Sequence, residues 1–252
     1  MTLEDLYQLF MDHQLIPDME SLDVIQTVEE YKQYWKPVEV KTILLAESHV
    51  FTSEEDFSVK IADDFVIDPA QPRNFVRYVY CLAYGENSIL EETVNNNPGT
   101  WQYWELFYSC NNYIETIEQF SPVLKKGNRV LENRINSKYN TLKQLKELGV
   151  WLIDVCPFAL YSNNRGNNLR QNYNIVLDLC WEFFIRGQIV SANPKDIKVI
   201  GHNVYNALSN NLTQLSIDLG IHVHKFFQPQ AHLPAEEHLH QYQEYYRNCH
   251  QE

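Results

Sequence analysis

The chain has 252 residues, 44% of them hydrophobic, and its 33 Asp or Glu against 20 Lys or Arg give a net charge of −13. That much apolar side chain can build one substantial core, so a single domain over 1–252 is expected. The acidity excludes a broad electrostatic grip on nucleic acid, because Lys and Arg supply most non-specific affinity for phosphates.

The five cysteines are scattered and include no C-x-x-C pair, so they signal no disulfide framework and no zinc or iron–sulfur site. A cytoplasmic protein without metal or other cofactor is the expectation. The opening MTLEDLYQLFMDHQLIP carries acids at 4, 5 and 12 instead of a basic-then-apolar leader, and no apolar run approaches the ~20 residues that span a bilayer. A membrane is therefore not an expected partner. The first 72 residues hold 16 of the acids and only 4 of the bases. Any polyanion contact is expected after them, at Lys125-Lys126-Gly127-Asn128-Arg129 or around Asn163 to Arg170, stretches that would otherwise be solvated loops.

Two helices open the chain, Thr2 to His13 and Ser21 to Trp35, with Thr2 and Ser21 as N-caps. A continuous apolar, β-branched run at Lys41 to Ala46 reads as a strand buried on both faces. Residues from about 50 to 140 form a long insertion with helix-like segments around Phe75 to Leu82 and Thr100 to Ser121, divided by the turn chemistry of Asn95-Asn96-Asn97-Pro98-Gly99. Leucines at helical spacing over Thr141 to Leu148 end at Gly149, and a second strand follows at Val150 to Val155. A helix over Ile175 to Arg186 is expected to stop at Gly187. Strands at Ile197 to Gly201 and Ile221 to Phe227 flank a helix over Asn203 to Leu215, and the segment after Pro234 closes as a helix. Alternating strands and helices predict an α/β fold, a three-layer α/β/α sandwich around a central four-stranded, mostly parallel sheet.

In such sheets ligands bind outside the carboxyl ends of the strands. Glu47, Ser48 and His49 follow the first strand; Asp154, Phe158, Asn164 and Arg165 come from the second. His202 and Asn203 follow the third, and Gln228 and His232 the fourth. Glu47, Ser48 and His49 read either as groups that position a water or as a capped strand end. Asp154 reads as ligand-facing or as satisfied by a following turn. Phe158 reads as a ring stacking on a flipped base or as core. No set of His, Cys and carboxylate has metal-ligand spacing.

The four segments LLAESHV, VWLIDVCPFALYSNNR, VIGHNVYNAL and HVHKFFQPQAHLP, in that order over about residues 40 to 235, resemble the uracil-DNA glycosylase superfamily. The resemblance implies that fold, cleavage of the N-glycosidic bond of an altered base in DNA, and a role in base excision repair. It implies that Glu47 positions the water, with Ser48 and His49 beside it. Asp154 falls where the superfamily reads the base with Asn, and Gln228 where it has His, with His232 close behind. Ala46 and His49 replace a Gly and a Pro of the first motif. An ionised carboxylate only accepts hydrogen bonds, so Asp154 would select a base that presents an amino or imino donor. DNA or another nucleobase-containing ligand is the implied partner. The alternatives are a catalytically inactive binding protein of this fold, engaging a protein through its acidic or aromatic surface, and a nucleoside or nucleotide hydrolase.

Overall fold

The structure, a computed structural model, describes residues 1–65, 68–161, 169–228 and 234–250. Its chain order is α1 (Leu3–Asp12), α2 (Leu22–Tyr34), β1 (Thr42–Ala46), α3 (Glu54–Phe57), α4 (Trp101–Asn111), α5 (Leu131–Leu148), β2 (Val150–Asp154), α6 (Leu169–Cys180), α7 (Arg186–Ala192), β3 (Asp196–Ile200), α8 (His202–Ala207), α9 (Ser209–Leu219), β4 (His222–Phe226) and α10 (Ala235–Cys249).

The four strands form one all-parallel sheet in the order β2-β1-β3-β4. β1 and β2 are buried along their whole length, which explains why their sequences are continuously apolar rather than alternating. Their side chains still divide by strand parity. Leu44, Ala46, Val150 and Leu152 join one core layer with α2, α4, α5, α10 and most of the insertion. Ile43, Leu45, Trp151 and Ile153 join the other, with α1, α6, α7, α8 and α9. Helices on both faces of a sheet make three layers.

Local chemistry accounts for the element ends. Thr2 accepts from Asp5 N while the Asp5 carboxylate accepts from Thr2 N, a reciprocal cap for α1. Ser21 stands at the N-cap of α2 by backbone angle, yet its hydroxyl makes no capping bond. Gly149 ends α5 in the left-handed conformation, φ 83°. That helix begins ten residues before the expected Thr141.

Two sequence expectations are corrected. The helix expected to stop at Gly187 passes through it, by way of a π-helical turn at Trp181–Ile185, and α7 ends at Ala192 with Asn193 in the left-handed cap at φ 47°. Gly187 lies in open space with ordinary backbone angles, and Asn193 is followed by Pro194, which cannot continue a helix. The segment from Phe75 to Leu82 is not helical but a chain of buried bends and turns. Its backbone groups are claimed from outside: Thr52 Oγ1 accepts from Arg77 N at 2.8 Å, and Val59 O from Phe75 N at 2.9 Å. Tyr80 from this segment reaches the outer edge of β2, where its Oη accepts from Leu152 N at 2.7 Å. One amide on the outer edge of β2 is thereby satisfied by a side chain.

Candidate active site

The sheet order puts a switch point between β1 and β3, while the cavity at the carboxyl end of the sheet lies beside β1 and β2. The chain leaves β1 toward β2 on one side and leaves β3 toward β4 on the other, so the carboxyl ends of adjacent β1 and β3 flank a topological switch point. Because all strands are parallel, Glu47 to His49, Asp154, His202 and Gln228 stand along one edge. The loops after β1 and β2 are joined by backbone bonds from Val155 N to Ala46 O at 2.8 Å and from Cys156 N to Glu47 O at 3.0 Å.

A cavity of about 40 Å³ opens at this edge beside β1 and β2, and Ser48, His49, Tyr78, Thr100, Tyr103 and Asp154 are among the residues that line it. Asp154 is buried. Burial raises its carboxyl pKa from 3.8 to about 6; His49 and Lys32 pull it down, and Glu47 and Glu29 push it up. Strand parity puts it on the same face as Leu152, above the buried tyrosines 78, 80 and 84.

His49 is the most constrained group of the site. Its side chain and that of Glu20 are both wholly buried, with Nε2 2.7 Å from Glu20 Oε2. Glu20, in the link between α1 and α2, also accepts from Thr52 N at 2.5 Å and from Ala159 N at 3.3 Å. One carboxylate therefore ties the chain after β1 to the chain after β2. Burial disfavours the imidazolium, but the charge and hydrogen bond of Glu20 outweigh it, with a further pull from Asp154, and the pKa of His49 lies above its ordinary value. The Nδ1 atom is buried without a hydrogen-bond partner among the described residues, as are Tyr78 Oη, Thr100 Oγ1 and Arg77 Nε around the same cavity. Buried polar atoms seldom go unpaired. The residues that carry these four atoms line the cavity, whose own surface is mainly apolar.

The other expected residues are placed as follows. Glu47 is half-buried at the end of β1; its Oε1 accepts from Tyr173 Oη at 2.6 Å, and it does not line the cavity. Burial raises its pKa against the hydrogen bonds from Tyr173 and Tyr161. Ser48 lines the cavity, and its Oγ accepts from Leu160 N at 3.4 Å. The stacking role expected of Phe158 is corrected: its ring is 1% exposed, lies 4.9 Å from that of Phe10, and belongs to the opposite core layer. His202 is partly exposed with its ring 4.2 Å from that of Phe227, and burial together with Lys225 lowers its pKa. Asn203 is exposed. Gln228 packs against Gly201, whose φ of 104° and close approach to Gln228 Cγ leave little room for a side chain. None of these last three lines the cavity. Asn164, Arg165 and His232 lie outside the described residues.

Sequence reasoning missed Glu20, Arg77, Tyr78, Thr100 and Tyr103. Glu20 sits among the acids of the first third with nothing in its neighbours to mark it as buried. Arg77 and Tyr78 come from an irregular stretch of the insertion with no periodicity to read, and Thr100 and Tyr103 from the start of α4, where helical spacing does not say which face meets the strand ends. Among the described residues, no three His, Cys, Asp or Glu side chains gather as a metal site, and no helix is long and apolar enough to cross a membrane. No protein-family model matches the chain, and no curated protein matches it.

Proposed function

We propose that the chain is a hydrolase of N-glycosidic bonds that reads a nucleobase at the carboxyl edge of its sheet, in the manner of the uracil-DNA glycosylase superfamily its strand-end segments resemble. The observation that carries this reading is the pairing, beside one small cavity, of a buried carboxylate with an imidazole held by a second buried carboxylate.

The cavity has room for one edge of a base or a few waters, not a whole ring. Asp154 accepts from an amino or imino donor on that edge. Cleavage of the bond to the sugar leaves the electron pair on the departing base. A cation already in place stabilises that charge without reorganising at the moment of reaction. His49 fills this role, its Nε2 fixed on Glu20 and its Nδ1 left to donate. It supplies what Gln228 cannot, at the position where the superfamily has histidine. Water completes the reaction at the sugar carbon, and Glu47, beside the cavity at the end of β1, is the nearby carboxylate to orient it.

The test is release of free base from single- and double-stranded oligonucleotides carrying uracil, hypoxanthine or xanthine, and from the matching free nucleosides. The reading expects release from at least one substrate, lost in Asp154→Ala. No release from any of them contradicts hydrolysis. A second reading, a binding protein of the same fold, is favoured by the engagement of the Glu47 carboxylate by Tyr173. It expects the ligand to bind and stay intact.

A further inference from the structure

A second and larger concavity, about 660 Å³, lies between the start of α4 and the 3-10 turn Ile117–Val123, in the range typical of small-molecule sites. It shares Tyr84 and Thr100 with the small cavity and is otherwise built from the insertion. We propose that this groove binds a nucleoside monophosphate whose base carries an exocyclic amine.

Its apolar surface is open to a flat ring: Trp101 is 52% exposed and Ile117 64%. Aromatic faces take a base whatever its identity. Its cationic side comes from the loop after the 3-10 turn. At the floor, buried Glu86 accepts from Arg134 and from Lys138, each at 2.8 Å, and Lys125 stands 3.7 Å away. Three cations thus share one carboxylate, and Lys126 has no ion pair among the described residues. The amino end of α4 opens on the same groove. Thr100 is its N-cap, yet the hydroxyl makes no capping bond and is buried without a partner, and no acid occupies the first turn. A free helix amino end favours an anion.

Two further acids line the groove, exposed Glu118 and half-buried Glu105, whose Oε2 accepts from Tyr242 Oη at 2.8 Å. They disfavour a phosphate-rich strand and suit an occupant with one anionic end and one amino group. The Lys125-Lys126 stretch that the sequence marks as a polyanion site then serves a single phosphate. This inference does not need the hydrolase reading, since it uses neither Asp154 nor His49, although the two cavities share Tyr84 and the unpartnered Thr100 hydroxyl.

The test is isothermal titration calorimetry with AMP, CMP, UMP, adenosine, inorganic phosphate and a single-stranded oligodeoxynucleotide. AMP and CMP are expected to bind at least about fivefold more tightly than UMP. Trp101→Ala is expected to weaken AMP at least about tenfold, the scale of one stacked base. The double variant Lys125→Ala/Lys126→Ala is expected to weaken AMP to a similar degree and leave adenosine unchanged. Thermal unfolding of each variant separates lost binding from lost fold. Absence of AMP and CMP binding at millimolar concentration overturns the proposal. So does binding that survives both groove variants. Binding of the oligodeoxynucleotide without the mononucleotides also overturns it and assigns the groove to a strand.

Discussion

Glu20 and His49 form a buried hydrogen-bonded pair, an ion pair where His49 is protonated, whose members hold each other in place. Truncating one member leaves the other charge buried, which typically costs about 3–5 kcal/mol, so Glu20→Ala is expected to lose about that much stability in chemical denaturation. Glu20→Gln keeps a hydrogen bond and removes the charge. By NMR titration it is expected to bring the His49 pKa below its value in the parent protein, because burial then acts against the imidazolium with less opposition. Asp154 makes a separate prediction in pH. Its folded pKa of about 6 lies above the unfolded 3.8, so the folded state holds the extra proton between those values. Stability falls as pH rises through that window, by roughly 3 kcal/mol for a shift of this size. The raised pKa of His49 acts in the same sense at higher pH, its contribution being complete below 6.5 and lost as pH passes the folded value. Asp154→Asn is expected to flatten the slope between pH 4 and 6 in denaturant titrations. An unchanged slope would show that the carboxyl is solvated.

Among the elements, the sheet edges carry most of the information. Tyr80 Oη is the acceptor for an amide of β2 that has no strand beyond it. Tyr80→Phe leaves that buried N–H unpaired and is expected to cost about 1–3 kcal/mol, read as a shift in denaturation midpoint at constant slope. Gly201 occupies φ 104° with Gln228 against it, and Gly201→Ala is expected to cost about 1–3 kcal/mol through backbone strain. β1 and β2 were legible because burial on both faces demands continuous apolar runs, β4 is more exposed, and all four strands lie within a residue or two of the expected bounds. Phe75 to Leu82 was misread because complete burial of a segment erases the difference between helix and irregular chain. Gly187 was misread as a stop because a glycine ends a helix only where the left-handed conformation is required, and here Asn193 supplies it.

For the whole molecule, parallel order turns four separate strand ends into one edge, so the edge that carries the candidate residues could be read from sequence while the lining of the cavity there could not. His49, Ser48 and Asp154 were visible as polar residues ending apolar strands. Glu20 and the insertion's Tyr78, Thr100 and Tyr103 reach the cavity only through long-range packing, which no local pattern encodes. Phe158, next to Pro157 at the same edge, turns to the other face and joins the core. The measurement that tests the central claim most directly is chromatographic detection of free base from hypoxanthine-, xanthine- and uracil-containing oligonucleotides and nucleosides, with parent protein, Asp154→Ala and His49→Ala in parallel. The account predicts base release by the parent that is lost in Asp154→Ala and strongly reduced in His49→Ala, with both variants folded. Release that persists in folded Asp154→Ala, or no release by the parent from any substrate, would contradict it.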